Sequence, residues 1–366
     1  MEMHEQCCRL ALSRVEGIGP VKYRLLMEAC GTAANLFTLP ARALRQLPGM
    51  NERTALAIRQ FNDWALVDAE LAMCMQQGIQ VLFFGEPNYP SRLMLCEDAP
   101  PFLFFKGNGL SNPPRSVAII GTRRATEYGR QLCNDLVAGL AERGITVVSG
   151  MAYGIDIAAH RACVQLGVPT MGVLAHGLGN LYPPEHHATA LAMQARGGLL
   201  STYFHDVLPE KGHFPARNRV VAGMVDAVVV VETGPRGGSL ITARMAEAYH
   251  RDVFCYPGRV NDPQSAGCLM LLKQLKAGLI CSASDLLYNM QWLDKDAPAC
   301  QLPLFNEVLP PNEEAVRCLL QEKGPLAVDE LLLYLGWESA ALSALLLMWE
   351  LQGRMYWMPG KRVALR

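Results

Sequence analysis

The residues of this sequence best suited to chemistry are cations grouped around one aromatic ring. Residues 211–219, KGHFPARNR, set Lys211, Arg217 and Arg219 about Phe214 within nine positions. Charge that follows a phosphate backbone, beside a flat ring on which a base can stack, is the combination that holds single-stranded nucleic acid. The competing reading of Phe214 is a core ring at a helix start, a reading its cationic neighbours weaken. Upstream, residues 116–129, SVAIIGTRRATEYG, place Arg123 and Arg124 just after a turn at Gly121. Guanidinium groups bind phosphate bidentately; two solvated loop arginines are the plain alternative.

Glycines accompany these cations. Residues 149–156, SGMAYGID, hold Gly150 and Gly154, which let the backbone pass close to a ligand, and Asp156 in the first turn of a following helix, where the dipole favours a carboxylate. Residues 175–183, AHGLGNLYP, make another such loop. In residues 232–242, ETGPRGGSLIT, Gly237, Gly238 and Ser239 open a helix whose amino end faces an anion. No cofactor fingerprint is matched. Gly121 is followed by TRRAT instead of completing the G-x-G-x-x-G of a dinucleotide site, and the G-x-x-x-x-G-K-[ST] phosphate loop does not occur. The expectation is binding, with no cofactor and no catalysis.

The elements that must position these residues follow from periodicity. Residues 117–120 form a β-branched apolar run suited to a strand covered on both faces, and a helical pattern runs from Thr126 or Glu127 through Leu132, Leu136 and Leu140. Strand patterns at 146–148, 170–174, 198–201, 227–231 and 253–256 then alternate with helices from Ile155, from Glu185, near Phe214, from Ser239 and near Ser265. Such alternation specifies an α/β fold: an extended, Rossmann-like, doubly wound and mostly parallel sheet with helices on both faces. Short strands at 81–84 and 102–106 are expected as added edges. Ligands of open α/β sheets bind outside the carboxyl ends of the strands, so the glycine loops describe one crevice.

Two flanking regions complete the domain plan. Residues 1–78 read as an all-α domain with two similar turns, VEGIGPVK at 15–22 and LPGMNER at 47–53, each leading into an amphipathic helix. They are similar to helix-hairpin-helix or SAM-like modules, whose turn amides can grip a phosphate; a bundle used for packing or partner contacts is equally open. The extended Rossmann domain covers 79–293, a proline-bearing linker 294–311, and a winged-helix domain 312–366. The third helix of that last domain, SAALSALLLMWEL, has no Lys or Arg, so a protein contact is expected of it in preference to groove reading.

Composition sets limits. With 366 residues, 51% of them hydrophobic and 18% charged, the chain is globular; at a formal charge of −1 it has no overall field for a polyanion, and any such binding must be local. It has no apolar run of the roughly 18 residues that span a bilayer, and MEMHEQCCRL lacks an apolar targeting core. A soluble, cytoplasmic protein is expected. The twelve cysteines include no C-x-x-C pair and read as reduced, mostly buried thiols. The pair His186-His187 reads as a helix start, since adjacent helical residues point apart. No metal is expected.

Taken in order, GTR at 121–123, SGMAYGIDIAAH at 149–160, GLGNLYP at 177–183, FPARNRVVAG at 214–223 and GGSLITAR at 237–244 resemble the bacterial DNA-processing protein A (DprA/Smf) family. The resemblance covers about 83–287; the head and tail agree in general layout. It implies a cytoplasmic homodimer that binds single-stranded DNA, protects it and loads the RecA recombinase during natural transformation. By motif position it implies DNA contacts at Arg123, Lys211, Phe214, Arg217 and Arg219, on a framework of Gly121, Gly150, Gly154, Gly238 and Ser239. The rival is a Rossmann-type nucleotide phosphoribohydrolase, whose P-G-G-x-G-T-x-x-E motif supplies a catalytic carboxylate. Here residues 235–242, PRGGSLIT, lack the third glycine, and Ala243-Arg244 stands nearest the expected acid. Arginine cannot serve as that acid. A purely structural adaptor would leave the basic-aromatic cluster unexplained.

Overall fold

A computed structural model of the chain describes residues 2–141, 143–293, 310–352, 354–358 and 361–365. The chain divides into two compact units, Met1–Leu293 and Asp294–Arg366.

Six helices open the first unit: α1 (Glu2–Arg14), α2 (Pro20–Cys30), α3 (Ala33–Thr38), α4 (Ala41–Leu44), α5 (Glu52–Arg59) and α6 (Trp64–Gln77). The two similar turns join α1 to α2 and α4 to α5, and each needs a glycine in the left-handed region, Gly17 at φ +82° and Gly49 at φ +67°. Leu12, Leu26, Leu36 and Leu44 form an inner core. A second face of α1 and α6, with Leu10, Val67 and Leu71, packs on Phe83, Phe102 and Phe104 of the sheet and on Phe204. The helical head expected as a domain of its own is therefore joined to the sheet through a shared aromatic core, and both lie within one compact unit.

The sheet has nine strands: β1 (Gln80–Phe83), β2 (Phe102–Lys106), β3 (Arg115–Ile120), β4 (Ile145–Ser149), β5 (Thr170–Leu174), β6 (Gly198–Ser201), β7 (Ala227–Val230), β8 (Asp252–Cys255) and β9 (Gly278–Leu279), in the order β1-β2-β6-β5-β4-β3-β7-β8-β9. All pairings from β6 to β9 are parallel; β1 with β2 and β2 with β6 are antiparallel. Only β1 of the two added strands is an edge. The nearly continuous apolar runs are explained by burial on both sides. Val117 and Ile119 face a core shared with α8 (Glu127–Leu140) and α9 (Ile155–Leu166), while Ala118 and Ile120 face the core of α11 (His213–Gly223) and α12 (Ser239–Ala248). The short helices α7 (Ser91–Met94), α10 (His187–Met193), α13 (Ala266–Lys273) and α14 (Ala283–Asn289) complete the unit. The winding direction reverses at β3, which lies between β4 and β7, and the carboxyl ends there border the crevice.

The second unit comprises α15 (Pro311–Lys323), β10 (Leu326–Ala327), α16 (Val328–Leu335), α17 (Ser339–Leu351), β11 (Met355–Met358) and β12 (Arg362–Leu365), with sheet order β10-β12-β11. It has its own core around Leu331, Leu346 and Trp349, whose indole N–H donates to Glu313 at 2.9 Å. The linker expected over 294–311 lies outside the described residues except for its end, where Pro311 already begins α15.

Eight of the described cysteines are buried, and burial pushes the thiols of Cys7 and Cys74 up to about 12; Cys281 and Cys318 are exposed. Among the described residues no helix is long and apolar enough to cross a membrane, and no three His, Cys, Asp or Glu side chains are grouped to hold a metal ion.

Candidate nucleic-acid interface

The loop from β3 to α8 is held at both ends by one residue. The Glu232 carbonyl accepts from Thr122 N at 2.7 Å, and its buried carboxylate accepts from Thr126 N at 3.0 Å and from the Thr126 hydroxyl. Thr126 in turn caps α8 by accepting from Gly129 N at 3.0 Å. Gly129 is required, because a Cβ there would run into the Glu232 carboxylate. Between the two fixed ends the chain thrusts Arg123 and Arg124 outward, both exposed.

The loop after β4 closes against this one. Gly154 has φ +79°, and a Cβ on it would strike the Thr122 carbonyl and the Arg123 backbone. Ile155 N donates to the same Thr122 carbonyl at 3.2 Å, so the amino end of α9 is seated on the arginine loop. Beneath lies the buried Asp156, which accepts from Gly150 N at 3.2 Å and Ala152 N at 3.4 Å. Burial raises its carboxyl above the ordinary range, and the Arg217 charge opposes that rise.

Together these loops, α11 and the start of α12 surround a hollow of about 410 Å³ at the carboxyl ends of β3, β4 and β7. Gly121, Gly150, Gly238 and Ser239 line it with Arg123, Arg124 and Phe214. The Ser239 hydroxyl is committed to Thr233 at 2.7 Å, which ties the start of α12 to the end of β7. The half-buried ring of Phe214 lies between two guanidinium groups, with Arg123 Cζ 5.3 Å and Arg217 Cζ 5.9 Å from its centroid. Arginine over an aromatic face is attractive in itself, so the two cations hold the ring in place.

Two of the expected contacts have partners within the protein. Arg217 is 5% exposed; its Nη1 donates to the carbonyls of Gly150 and Val173 (3.0 Å for the latter), and Nε donates to Asn218 at 3.0 Å. It is an internal strut between the ends of β4 and β5, and it lends the hollow its charge more than its donors. Arg219, two positions on, turns to the other side of α11 and pairs with Asp98 at 3.3 Å, away from the hollow. Lys211 is exposed, two residues before α11.

Histidines near the hollow hold backbone. His176 Nδ1 donates to the Gly177 carbonyl at 2.9 Å while Nε2 accepts from Tyr182 N at 3.2 Å, which fixes its tautomer. His186 donates to the carbonyl of Met151, a residue at φ +57°, at 2.8 Å. His160 is fully buried; the hydroxyl of Thr170 donates to Val147 O, so His160 Nδ1 must be the donor across its 2.8 Å contact with that hydroxyl. Burial lowers its pKa to about 3. The spacing of these histidines along the chain gave no sign of a shared task.

A family model described as DNA recombination-mediator protein A matches residues 80–291. The chain belongs to the DNA recombination-mediator protein A family. The family's N-terminal helix-hairpin-helix domain matches 3–72 and its winged-helix domain 302–361. Among relatives, Protein Smf of Synechocystis is 33% identical over 298 residues, covering 79% of this chain and 74% of that one. The structure of DNA processing protein A from Streptococcus pneumoniae superposes with a TM-score of 0.67 at 31% identity, covering 77% of this chain and 97% of that one. That of DNA processing protein A from Helicobacter pylori, described for its single-stranded DNA binding mode, gives 0.53 at 32% identity over 58% of this chain and 95% of that one.

Proposed function

We propose that this chain is a single-stranded DNA-binding recombination mediator: a cytoplasmic homodimer that protects incoming single strands and loads the RecA recombinase during natural transformation. The observation that carries the reading is the Phe214 ring set between Arg123 and Arg217 at the rim of the glycine-lined hollow. A ring offers a base a stacking face and Arg123 offers its phosphate a charge. The membership of the family and the single-stranded DNA bound by its Helicobacter pylori member support the same reading. Arg123, Phe214 and the exposed Lys211 are the proposed contacts, with Gly121, Gly150, Gly154, Gly238 and Ser239 shaping the surface. No catalytic step is assigned.

The test is a titration of single- and double-stranded oligonucleotides at two salt concentrations. Single strands bind more tightly, and affinity falls steeply with salt through counterion release. Phe214→Ala weakens binding by about 1–3 kcal/mol, Arg123→Ala also weakens it, and Arg219→Ala, turned away from the hollow, leaves it unchanged. Equal affinity for duplex, or indifference to both of the first two substitutions in folded protein, sinks the assignment. Incubation with nucleoside monophosphates covers the hydrolase reading: release of free base would restore it.

A further inference from the structure

The Arg123–Arg124 loop walls a second hollow as well as the first. This one, of about 480 Å³, runs along the paired helices α8 and α9, and Arg130 and Arg161 join the two loop arginines in lining it. A small ligand could end in the first hollow, whereas a polymeric anion must leave it. The two hollows share Arg123 and Arg124, so a chain of phosphates passing over that loop comes next to Arg130 and Arg161.

The state of these charges supports occupancy by an anion. Arg124 and Arg161 make no guanidinium hydrogen bond or ion pair among the described residues. Among the described residues Arg130 is paired only with Glu127, one turn away at 3.1 Å and largely exposed, an interaction of little strength in water. The one carboxylate lining this hollow, Glu185, accepts from the Tyr153 hydroxyl at 3.0 Å. Four guanidinium groups facing one carboxylate stand out in a chain whose formal charge is −1.

We propose that the groove between α8 and α9 is a second subsite of the single-strand track, in which Arg130 and Arg161 hold phosphates of nucleotides beyond those in the first hollow. The proposal rests on the binding reading above and adds a length dependence to it. A short strand fills the first hollow only, and a longer one engages both.

The experiment measures binding of oligothymidylates spanning roughly 4 to 16 nucleotides, the range of known single-strand sites, to the full chain. The variants are Arg130→Ala, Arg161→Ala, their double, Arg161→Lys, and Arg143→Ala as a charge control. Arg143 precedes β4 and thus lies at the opposite, amino end of the sheet. The double variant should bind the shortest oligomers as wild type does, lose about tenfold for the longest, and show a salt slope shallower by about 0.7 for each arginine removed. Arg161→Lys should restore most of the loss, and Arg143→Ala should match wild type at all lengths. Equal binding of all lengths by wild type and double variant overturns the subsite, as does a loss that is the same at every length or reproduced by Arg143→Ala. If Arg123→Ala and Phe214→Ala still impair binding in that case, the first hollow stands and only the extension falls. If neither matters, the binding reading itself has failed.

Discussion

Arg217 and Arg219 stand two positions apart on α11 and do opposite things. A helix advances about 100° per residue, which brings Phe214 and Arg217 to one face and carries Arg219 toward Asp98 on another. In the sequence these cations were of one kind, and no local pattern told which would be buried. The same holds for His160, which composition alone could not separate from a surface histidine. Its folded-state pKa of about 3 lies below the ordinary value of 6.5, so the unfolded chain takes up its proton first. Its contribution to stability is therefore complete above about pH 6.5 and is lost as pH falls toward 3, by up to about 1.4 kcal/mol per pH unit. Burial lowers His176 and His186 in the same direction. Urea unfolding at pH 7 and pH 5 should show a marked loss at the lower pH, and His160→Gln should flatten that dependence. An unchanged dependence in the variant would remove His160 as its cause.

At the scale of elements, the strands from β3 to β8 were legible because both their faces are buried, which leaves uninterrupted apolar runs bounded by glycine. The two-residue strands β9 and β10 are too short to carry a period and exist only through their pairing partners. Gly121, Gly150 and Gly154 stood out in the sequence and each lies against protein atoms that leave no room for a Cβ, but the clasp that aims the arginine loop was not legible. Glu232 follows β7, and its partner Thr126 is 106 positions earlier. Glu232→Ala removes both acceptor oxygens, so both side-chain bonds to Thr126 are lost. Loss of hydrogen bonds to a charged group should lower stability by at least about 2 kcal/mol, and the loosened loop should weaken single-strand binding nearly as much as Arg123→Ala does. Calorimetry and the same titration check both parts; unaltered binding despite reduced stability would separate the clasp from the aim of Arg123.

For the whole molecule, the position of the division is informative. The head shares its aromatic core with β1 and β2, and Phe104, 1% exposed, stands 5.1 Å from Phe102 and 5.8 Å from Phe204 across that seam. Phenylalanines at 83, 102 and 104 read as strand residues in the sequence, and nothing in their spacing said that helices far upstream would cover them. The tail carries its own core. Residues 1–293 produced alone should therefore unfold in one cooperative transition and bind single strands as the full chain does, since every side chain of both hollows lies within them. Weaker binding by that fragment would make the tail part of the DNA site.

The carboxylates beneath the arginines bear on how a strand lies. Asp156 is buried under the first hollow, and Glu232 is buried behind the arginine loop, while the guanidinium groups of Arg123 and Arg124 stand at the rim. The buried Arg217 guanidinium offsets the charge of Asp156, so the floor is compensated while the rim keeps its free positive charge, which attracts a phosphate that stays high. On the proposed binding reading, a strand is thereby given a cross-section with a top and a bottom: sugar and phosphate along the lip, and the uncharged bases as the part that turns inward to Phe214.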